Sequence, residues 1–199
     1  MVRLAVFVSG SGSDLQSLID AVNNRELDAE IALVVASKPN IYALERANKA
    51  NIQSAVFNKS DFSSAEEMYE ILAGTLEFYG IDFIVLAGYL SILTKNFVDL
   101  FKKRIINIHP SLIPKFCGNG FYGMKVHEAV IASGEKVSGA TVHYVDEGTD
   151  TGEIILQETV PVYPNDTPQT LQKRVLEKEH SLLPRAVQMV INDINKERK

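Results

Sequence analysis

One stretch near the start of the chain reads Leu4-Ala5-Val6-Phe7-Val8-Ser9-Gly10-Ser11-Gly12-Ser13, an apolar run that ends in a glycine-rich turn. A continuous run of β-favouring apolar residues is typical of a strand that is buried on both faces, as strands of parallel sheets are. Ser13 and Gln16 form a capping-box pattern, which predicts that a helix begins at Ser13. One face of that helix is apolar and carries Leu15, Leu18, Ile19 and Val22. The stretch therefore predicts a strand, a loop and a helix.

The alternation of strand and helix continues outward from this stretch. Apolar runs at residues 31–36, 54–57, 83–87 and 105–109 predict four more strands, and helical patterns separate most of them. Strands that alternate with helices form a parallel sheet with helices on both faces. Farther along, two β-rich runs at residues 140–145 and 154–162 flank a compact turn, which predicts a β-hairpin added to the sheet.

The end of the chain is predicted to be helical. Thr167 as N-cap and Pro168 at the first helical position indicate where the helix begins. We expect a break at Pro184, because a proline inside a helix removes one hydrogen bond. The predicted fold class is α/β, with a doubly wound, mostly parallel sheet, a C-terminal β-hairpin addition and terminal helices. At 199 residues, the length fits one domain over residues 1–199.

Composition limits the classes of function. Hydrophobic residues make up 46% of the chain and charged residues 23%, which is the balance of an ordinary globular protein. Asp and Glu outnumber Lys and Arg by 25 to 20, and no basic block is present, so we expect small-molecule substrates and no nucleic acid. Cys117 is the only cysteine, which excludes an internal disulfide and suits a reducing compartment.

The sequence also indicates where the protein works. The first residues lack the apolar core and cleavage pattern of a signal peptide, and no apolar run approaches membrane-spanning length. We therefore expect a cytoplasmic protein with no membrane partner. Both a monomer and a homodimer agree with the sequence.

A candidate site lies at the end of the strand over residues 105–109. Asn107 and His109 are two residues apart, so in an extended chain their side chains point to the same face. Pro110 ends the strand and restricts the backbone of His109. An amide and an imidazole in this position could stabilise an oxyanion and deliver a proton, as acyl transfer to nitrogen requires. The alternative is a strand-end histidine bonded to backbone and an asparagine that forms a turn.

The glycine turn after the first strand is a second candidate. It is not a dinucleotide fingerprint, because Leu15 stands where the third glycine is expected, and it lacks the end of a Walker A loop. Its backbone N–H groups and the helix N-terminus could hold one phosphate. The alternative is a plain strand-to-helix turn without a ligand.

Two further segments are weaker candidates. Residues 88–93 leave a strand through Gly88 and form an apolar segment that could face a flat heterocycle, although core packing explains Leu90 and Leu93 equally well. The hairpin turn carries three acidic residues, of which Asp150 matters only if the hairpin packs beside His109. No metal site is predicted, because the remaining histidines, His127, His143 and His180, lack a metal-binding spacing.

Three motifs together resemble the folate formyltransferase superfamily. They are the turn at residues 9–13, Asn107-Ile108-His109-Pro110-Ser111-Leu112-Ile113-Pro114, and His143-Tyr144-Val145-Asp146-Glu147-Gly148-Thr149-Asp150-Thr151-Gly152 followed by residues 154–157. The chain is most similar to the members that act in purine (IMP) biosynthesis, and the similarity covers nearly its whole length. The resemblance implies transfer of a formyl group from 10-formyltetrahydrofolate to the amine of 5-phosphoribosylglycinamide, with no metal.

The resemblance also implies roles for individual residues. Catalysis is expected from Asn107, His109 and Asp150, with Asp150 raising the pKa of His109. The substrate phosphate and ribose are expected at Gly12, Ser13, Asp14 and Glu179. The folate is expected to contact Asn107 and a pterin pocket formed by Leu90, Ser91, Ile92 and Leu93. Four features depart from the family pattern, namely Ser91 and Ala65 where arginines are expected, Asp14 in place of a frequent asparagine, and a longer glycine-rich loop at residues 116–125.

Other members of the superfamily are alternatives. Methionyl-tRNA formyltransferase adds a C-terminal tRNA-binding barrel, and formyltetrahydrofolate deformylase adds an N-terminal regulatory domain. We expect neither extension, because the first strand begins at Leu4 and the final helices end the chain, and net negative charge disfavours tRNA. A non-catalytic phosphate or folate sensor on the same scaffold is the remaining alternative, which the presence of the whole catalytic trio disfavours.

Overall fold

The computed structural model describes residues 1–198 and contains a seven-stranded sheet. The strands are β1 Val2–Val8, β2 Ala29–Ala36, β3 Ser54–Val56, β4 Phe83–Leu86, β5 Ile105–His109, β6 Val137–Tyr144 and β7 Ile154–Pro161. They are ordered β3-β2-β1-β4-β5-β6-β7, with β1 to β5 parallel and β6 and β7 antiparallel. The predicted fold class, including the added hairpin, is confirmed.

Helices cover both faces of this sheet, as the doubly wound prediction requires. They are α1 Ser13–Asn23, α2 Tyr42–Lys49, α3 Ala65–Phe78, α4 Lys95–Leu100, α5 Met124–Ser133 and α6 Pro168–Glu197, with a short 3₁₀ turn at Lys59–Asp61. Apolar side chains of α1, α2, α5 and α6 pack on one face, and those of α3 and α4 pack on the other. Because the central strands are buried on both faces, they are mostly apolar, and β4 is apolar along its whole length. A single domain over residues 1–199 stays a prediction.

The predicted break of the last helix at Pro184 is wrong, because α6 continues through Pro184 to Glu197. Proline removes the hydrogen bond to the His180 carbonyl. Leu183 and Ala186, on either side of Pro184, are fully buried against the sheet, and this packing keeps the helix continuous. The predicted start is confirmed, since Thr167 caps α6 through a bond from the Thr170 amide at 3.2 Å.

The predicted capping box at Ser13 is also wrong. Gly12 is the N-cap of α1 and no side chain caps it. Gln16 instead accepts a hydrogen bond from the Arg46 guanidinium at 2.9 Å, which ties α1 to α2. The backbone N–H groups at the start of α1 are therefore not occupied by a capping side chain.

Strand order places a topological switch between β1 and β4, where the chain turns from one side of the sheet to the other. Ligands of open α/β sheets bind outside the carboxyl ends of the strands at such a point. Asp82, just before β4, lies near both described ends of the chain: its carboxylate accepts a bond from the Arg3 amide at 2.9 Å and another from the Arg198 guanidinium. No helix within residues 1–198 is both long enough and apolar enough to cross a bilayer.

Candidate active site

A cavity of about 730 Å³ opens at the carboxyl ends of β1, β4 and β5. The loops after these strands, the hairpin turn between β6 and β7, and α6 form its walls. Every residue singled out from the sequence as catalytic or binding lines it, namely Gly12, Ser13, Asp14, Leu90, Ser91, Ile92, Leu93, Asn107, His109, Asp150 and Glu179. The structure thus brings the three sequence motifs to one place.

Asn107 and His109 lie at the end of β5, on the rim of the cavity. In the antiparallel pairing with β6, Asn107 stands opposite His143 and His109 opposite Thr141. The His109 ring is buried, with Nε2 2.9 Å from the Phe116 carbonyl oxygen and Nδ1 3.6 Å from an oxygen of Asp150. Because a carbonyl only accepts, the Phe116 contact places a proton on Nε2.

Asp150 reaches His109 because the hairpin turn folds back over the end of β5. Its backbone is left-handed, with φ of 58°, a conformation that aspartate tolerates better than most residues. The Gly118 amide donates to one carboxylate oxygen at 2.9 Å, and Asn107 donates to the other at 3.4 Å. These contacts fix the carboxylate between an amide and two histidine rings.

His143 is a member of this group that the sequence interpretation missed. Its Nε2 lies 3.2 Å from the Asn107 amide nitrogen and 3.5 Å from Asp150, while Nδ1 bonds the Tyr144 carbonyl at 2.8 Å. The ring is buried and therefore holds the Asn107 amide in one orientation. The register between β5 and β6 places His143 opposite Asn107, but no pattern in the sequence determines that register.

Burial and charge act against each other on the ionisable groups. Burial lowers the pKa of His109 below its ordinary value, and the nearby Asp150 carboxylate and Phe116 carbonyl only partly oppose this. Asp150 therefore acts in the expected direction, although the net pKa of His109 is lowered. Burial would raise the pKa of Asp150, but His143, His109 and the Gly118 amide together lower it, so this carboxyl is ionised at neutral pH.

The glycine turn after β1 is held from several sides. Gly12 has φ of 72°, and a Cβ there would lie 2.7 Å from the Ala43 Cβ, so a side chain is excluded both by conformation and by space. Arg46 donates from Nε to the Ser11 carbonyl at 2.9 Å. Ser9 accepts from the Leu90 amide at 2.9 Å, which joins the loops after β1 and β4.

Two carboxyl groups lie beside this turn. Burial raises the pKa of Asp14 to about 6. Burial, and secondly the charge of Asp14, raise the pKa of Glu179 well above its ordinary value. A buried pair of this kind holds at least one proton near neutral pH, because two adjacent carboxylates repel each other.

The segment from Leu90 to Leu93 forms an open wall of the cavity. Leu90 is 62% exposed, so the alternative of core packing is wrong for Leu90, whereas Leu93 is partly buried and packs against the core as that alternative predicted. Ile92 is 79% exposed. Lys95 is the one Lys or Arg among the described cavity-lining residues, and it pairs with Glu147 across the opening. Ala65, where the resemblance led us to expect an arginine, begins α3 and does not line this cavity.

His127 is a further buried histidine on the cavity wall, at 2% exposure. Burial, and secondly the charge of His109, lower its pKa to about 4, so the ring is neutral at physiological pH. Among residues 1–198, no group of three or more His, Cys, Asp or Glu side chains is placed to hold a metal ion. That the reaction needs no metal stays a prediction.

The arrangement combines an amide and an imidazole at the end of one strand with an ionised carboxylate from the hairpin turn, in a cavity that has a glycine turn at one side and an apolar wall at another. Such groups suit transfer of a carbonyl group to a nucleophile. The chain belongs to the formyl transferase family, whose model, described as "Formyl transferase", matches residues 2–187.

Curated relatives narrow this family further. Phosphoribosylglycinamide formyltransferase of Haemophilus influenzae is 40% identical, covering 92% of this chain and 84% of that protein. The chloroplastic phosphoribosylglycinamide formyltransferase of Arabidopsis thaliana is 43% identical over 90% of this chain, and the match covers 62% of the Arabidopsis protein. The trifunctional purine biosynthetic protein adenosine-3 of Drosophila melanogaster is 42% identical, and this chain covers 14% of its length. The chain therefore spans only part of several relatives.

Solved structures agree with this placement. Glycinamide ribonucleotide transformylase 1 of Geobacillus kaustophilus superposes with a TM-score of 0.88 at 39% identity, covering 96% of this chain and 98% of that one. Phosphoribosylglycinamide formyltransferase of Brucella melitensis gives 0.87 at 39% identity and 94% of each chain. The similarity thus extends through both the sheet and the added hairpin.

Proposed function

We propose that this protein transfers the formyl group of 10-formyltetrahydrofolate to the amine of 5-phosphoribosylglycinamide, giving 5-phosphoribosyl-N-formylglycinamide and tetrahydrofolate in purine biosynthesis. The observation that carries the proposal is the convergence of Asn107, His109 and Asp150 in one cavity of a formyl transferase chain. The family's formyl donor is 10-formyltetrahydrofolate, and relatives of similar length are named for the glycinamide acceptor.

In the proposed mechanism the neutral amine attacks the formyl carbon. The negative charge that develops on the formyl oxygen is stabilised by the Asn107 amide and by His109 as hydrogen-bond donors. Asp150 favours the imidazolium form of His109 when that oxyanion forms. The attacking amine passes its surplus proton to His109, directly or through water, and the imidazolium so formed gives a proton to the folate nitrogen as the bond between that nitrogen and the formyl carbon breaks.

The donors need a small rearrangement before they can act. His109 Nε2 bonds the Phe116 carbonyl, and the Asn107 amide faces His143 and Asp150. Phe116 is the first residue of the glycine-rich loop, in which Gly118 and Gly120 have positive φ. We infer that substrate binding shifts this loop, so that Nε2–H passes from the Phe116 carbonyl to the formyl oxygen.

The binding sites follow from the walls of the cavity. The substrate phosphate would bind the N–H groups at Gly12, Ser13 and Asp14, which no capping side chain occupies. Glu179 would contact the ribose. The pterin would lie against the wall formed by Leu90, Ser91, Ile92 and Leu93, near Asn107. We propose further that residues 1–199 act as one domain, in the cytoplasm, without a metal, as a monomer or homodimer.

The direct test follows release of tetrahydrofolate by absorbance, with 10-formyltetrahydrofolate as donor and with or without 5-phosphoribosylglycinamide. Release that requires the glycinamide establishes the transferase. Release without it would indicate a hydrolytic deformylase, and tight folate binding without release would indicate a sensor. His109→Ala is expected to lower turnover about 10²-fold or more with little change in substrate binding. Near-normal turnover in that variant would contradict the role of His109.

A further inference from the structure

Two buried polar atoms beside the phosphate turn have no partner. Oδ1 of Asp14 and Nε2 of His180 each lack a hydrogen bond, and they face each other at 3.8 Å. That separation is too long for a hydrogen bond. Unsatisfied polar atoms in the interior cost free energy, so this pair is a place where one added proton would be strongly favoured.

The charges that face His180 come from three helices. Burial, and secondly the charge of Arg46, lower the pKa of His180 below its ordinary value, whereas two acidic groups oppose this. These groups are Asp14 and Asp20 on α1, Arg46 on α2 and Glu177 on α6. Glu179, also on α6, interacts with Asp14. The His180 ring is therefore neutral at physiological pH and cannot form an ion pair with Asp14.

A phosphate at the adjacent turn changes this balance. Its charge of between about −1.5 and −2 at pH 7 would be placed next to the first turn of α1, which carries Asp14. A new anion favours protonation of every group near it. Arg46 is already engaged with Ser11 and Gln16, so the groups left to respond are Asp14, Glu179 and His180.

We propose that Asp14 and His180 take up one proton from solvent when the substrate phosphate binds, and that the pair then closes as a hydrogen bond from Nε2–H of His180 to Oδ1 of Asp14. The proton lowers the net negative charge beside the phosphate and satisfies both orphan atoms at once. Asp14 thus makes phosphate binding depend on pH, and His180 is a positioning residue for it. This inference rests on the proposed function, because it takes the Gly12–Asp14 turn as the phosphate site.

The test is isothermal titration calorimetry of 5-phosphoribosylglycinamide into the full chain at pH 7.5, in buffers that differ in ionisation enthalpy. The dependence of the observed heat on the buffer gives the number of protons taken up. We expect uptake approaching about one proton for the unmodified chain, and an affinity that weakens by up to about tenfold per pH unit above neutrality. Asp14→Asn and His180→Gln should both reduce the uptake to near zero.

A control variant separates this proton uptake from a general effect of removing an acidic side chain. Glu70→Gln changes an exposed acid on α3, which packs on the other face of the sheet, and should leave the uptake as in the unmodified chain. The phosphate's own ionisation contributes equally in all variants. Binding without proton uptake, or uptake that persists in both Asp14→Asn and His180→Gln, would overturn the inference while leaving the proposed function intact. Failure of the glycinamide to bind at all would instead count against the proposed function.

Discussion

Asp150 shows how much of the site depends on one backbone conformation. Its left-handed φ lets a carboxylate on a tight turn reach His109, Asn107 and the Gly118 amide together. The price is local strain of about 1–3 kcal/mol, which the surrounding hydrogen bonds offset. Strain of this kind is common where a side chain must be aimed at a reacting group.

The Asp150→Asn variant should keep the shape of the turn and lose the charge. Without the carboxylate the pKa of His109 falls further, because burial lowers it and only the hydrogen bond with the Phe116 carbonyl is left to oppose burial. We expect kcat to fall by about 10²- to 10⁴-fold with KM nearly unchanged. Steady-state kinetics across pH would measure this, with Glu153→Gln, an exposed acid beyond the same turn, as the matched control.

His143→Gln tests whether the ring orients the Asn107 amide. Because Nδ1 donates to the Tyr144 carbonyl, Nε2 is the ring nitrogen that can accept from Asn107, and a glutamine lacks this pair of ring nitrogens in fixed geometry. We expect kcat to fall by about 10-fold or more and less than in His109→Ala, since Asn107 itself remains. A variant that raises KM and leaves kcat alone would show that His143 acts in binding rather than in orientation.

The sequence revealed these residues unequally. Asn107 and His109 are two apart on one strand, so their shared face follows from the pleat. Asp150 is 43 residues from Asn107, and only the folded hairpin brings it near. His143 and the Phe116 carbonyl were missed, because an antiparallel register and a loop path are tertiary properties. The lowered pKa of His109 was missed for the same reason, since burial outweighs the charge of Asp150.

Among the elements, α6 departs most from its local pattern. Proline propensity predicts a break at Pro184, but a helix with fully buried residues around that position gains more from packing than one hydrogen bond costs. Strand positions were easier to predict, because β1 and β2 each contain a continuous apolar run and β4 is wholly apolar. The predicted capping box of α1 was wrong because Gln16 binds Arg46, which lies 30 residues away in the sequence.

The N-terminus of α6 should be the most acid-sensitive helix start. Asp166 accepts two bonds from Arg174 at 2.7 and 2.8 Å and one from the Tyr163 amide at 2.7 Å. Its hydrogen bond with Arg174 is the main cause that holds the pKa of Asp166 well below the ordinary value. Its stabilisation is complete above the unfolded-state pKa of about 3.9 and is lost as pH falls toward the lower folded-state value.

Asp166→Asn should therefore lower the free energy of unfolding by about 1–3 kcal/mol at pH 7 and by much less near pH 2. Urea denaturation at a series of pH values gives both quantities. Asp28→Asn, an exposed acid in a loop, is the control and should change neither. Equal losses for Asp166→Asn at pH 7 and pH 2 would mean that packing, and not charge, is what the mutation removes.

Within the whole molecule, local stability is expected to be highest at the middle of the sheet. β1 pairs with β2 on one side and β4 on the other, and its residues are almost wholly buried, whereas β3 is a three-residue edge strand with two exposed side chains. Native-state hydrogen exchange should therefore be slowest in β1, β2 and β4 and fast in β3. Uniform protection across the sheet would indicate that the molecule opens only as one cooperative unit.

Asp82 holds Arg3 and Arg198 together, so the polypeptide enters and leaves the molecule at neighbouring points. A domain whose chain ends are adjacent can be inserted into a longer polypeptide without disrupting its sheet, and it tolerates circular permutation. A circular permutant that joins these ends through a flexible glycine linker and opens at the exposed residues 24–26 should reach the same three-dimensional shape.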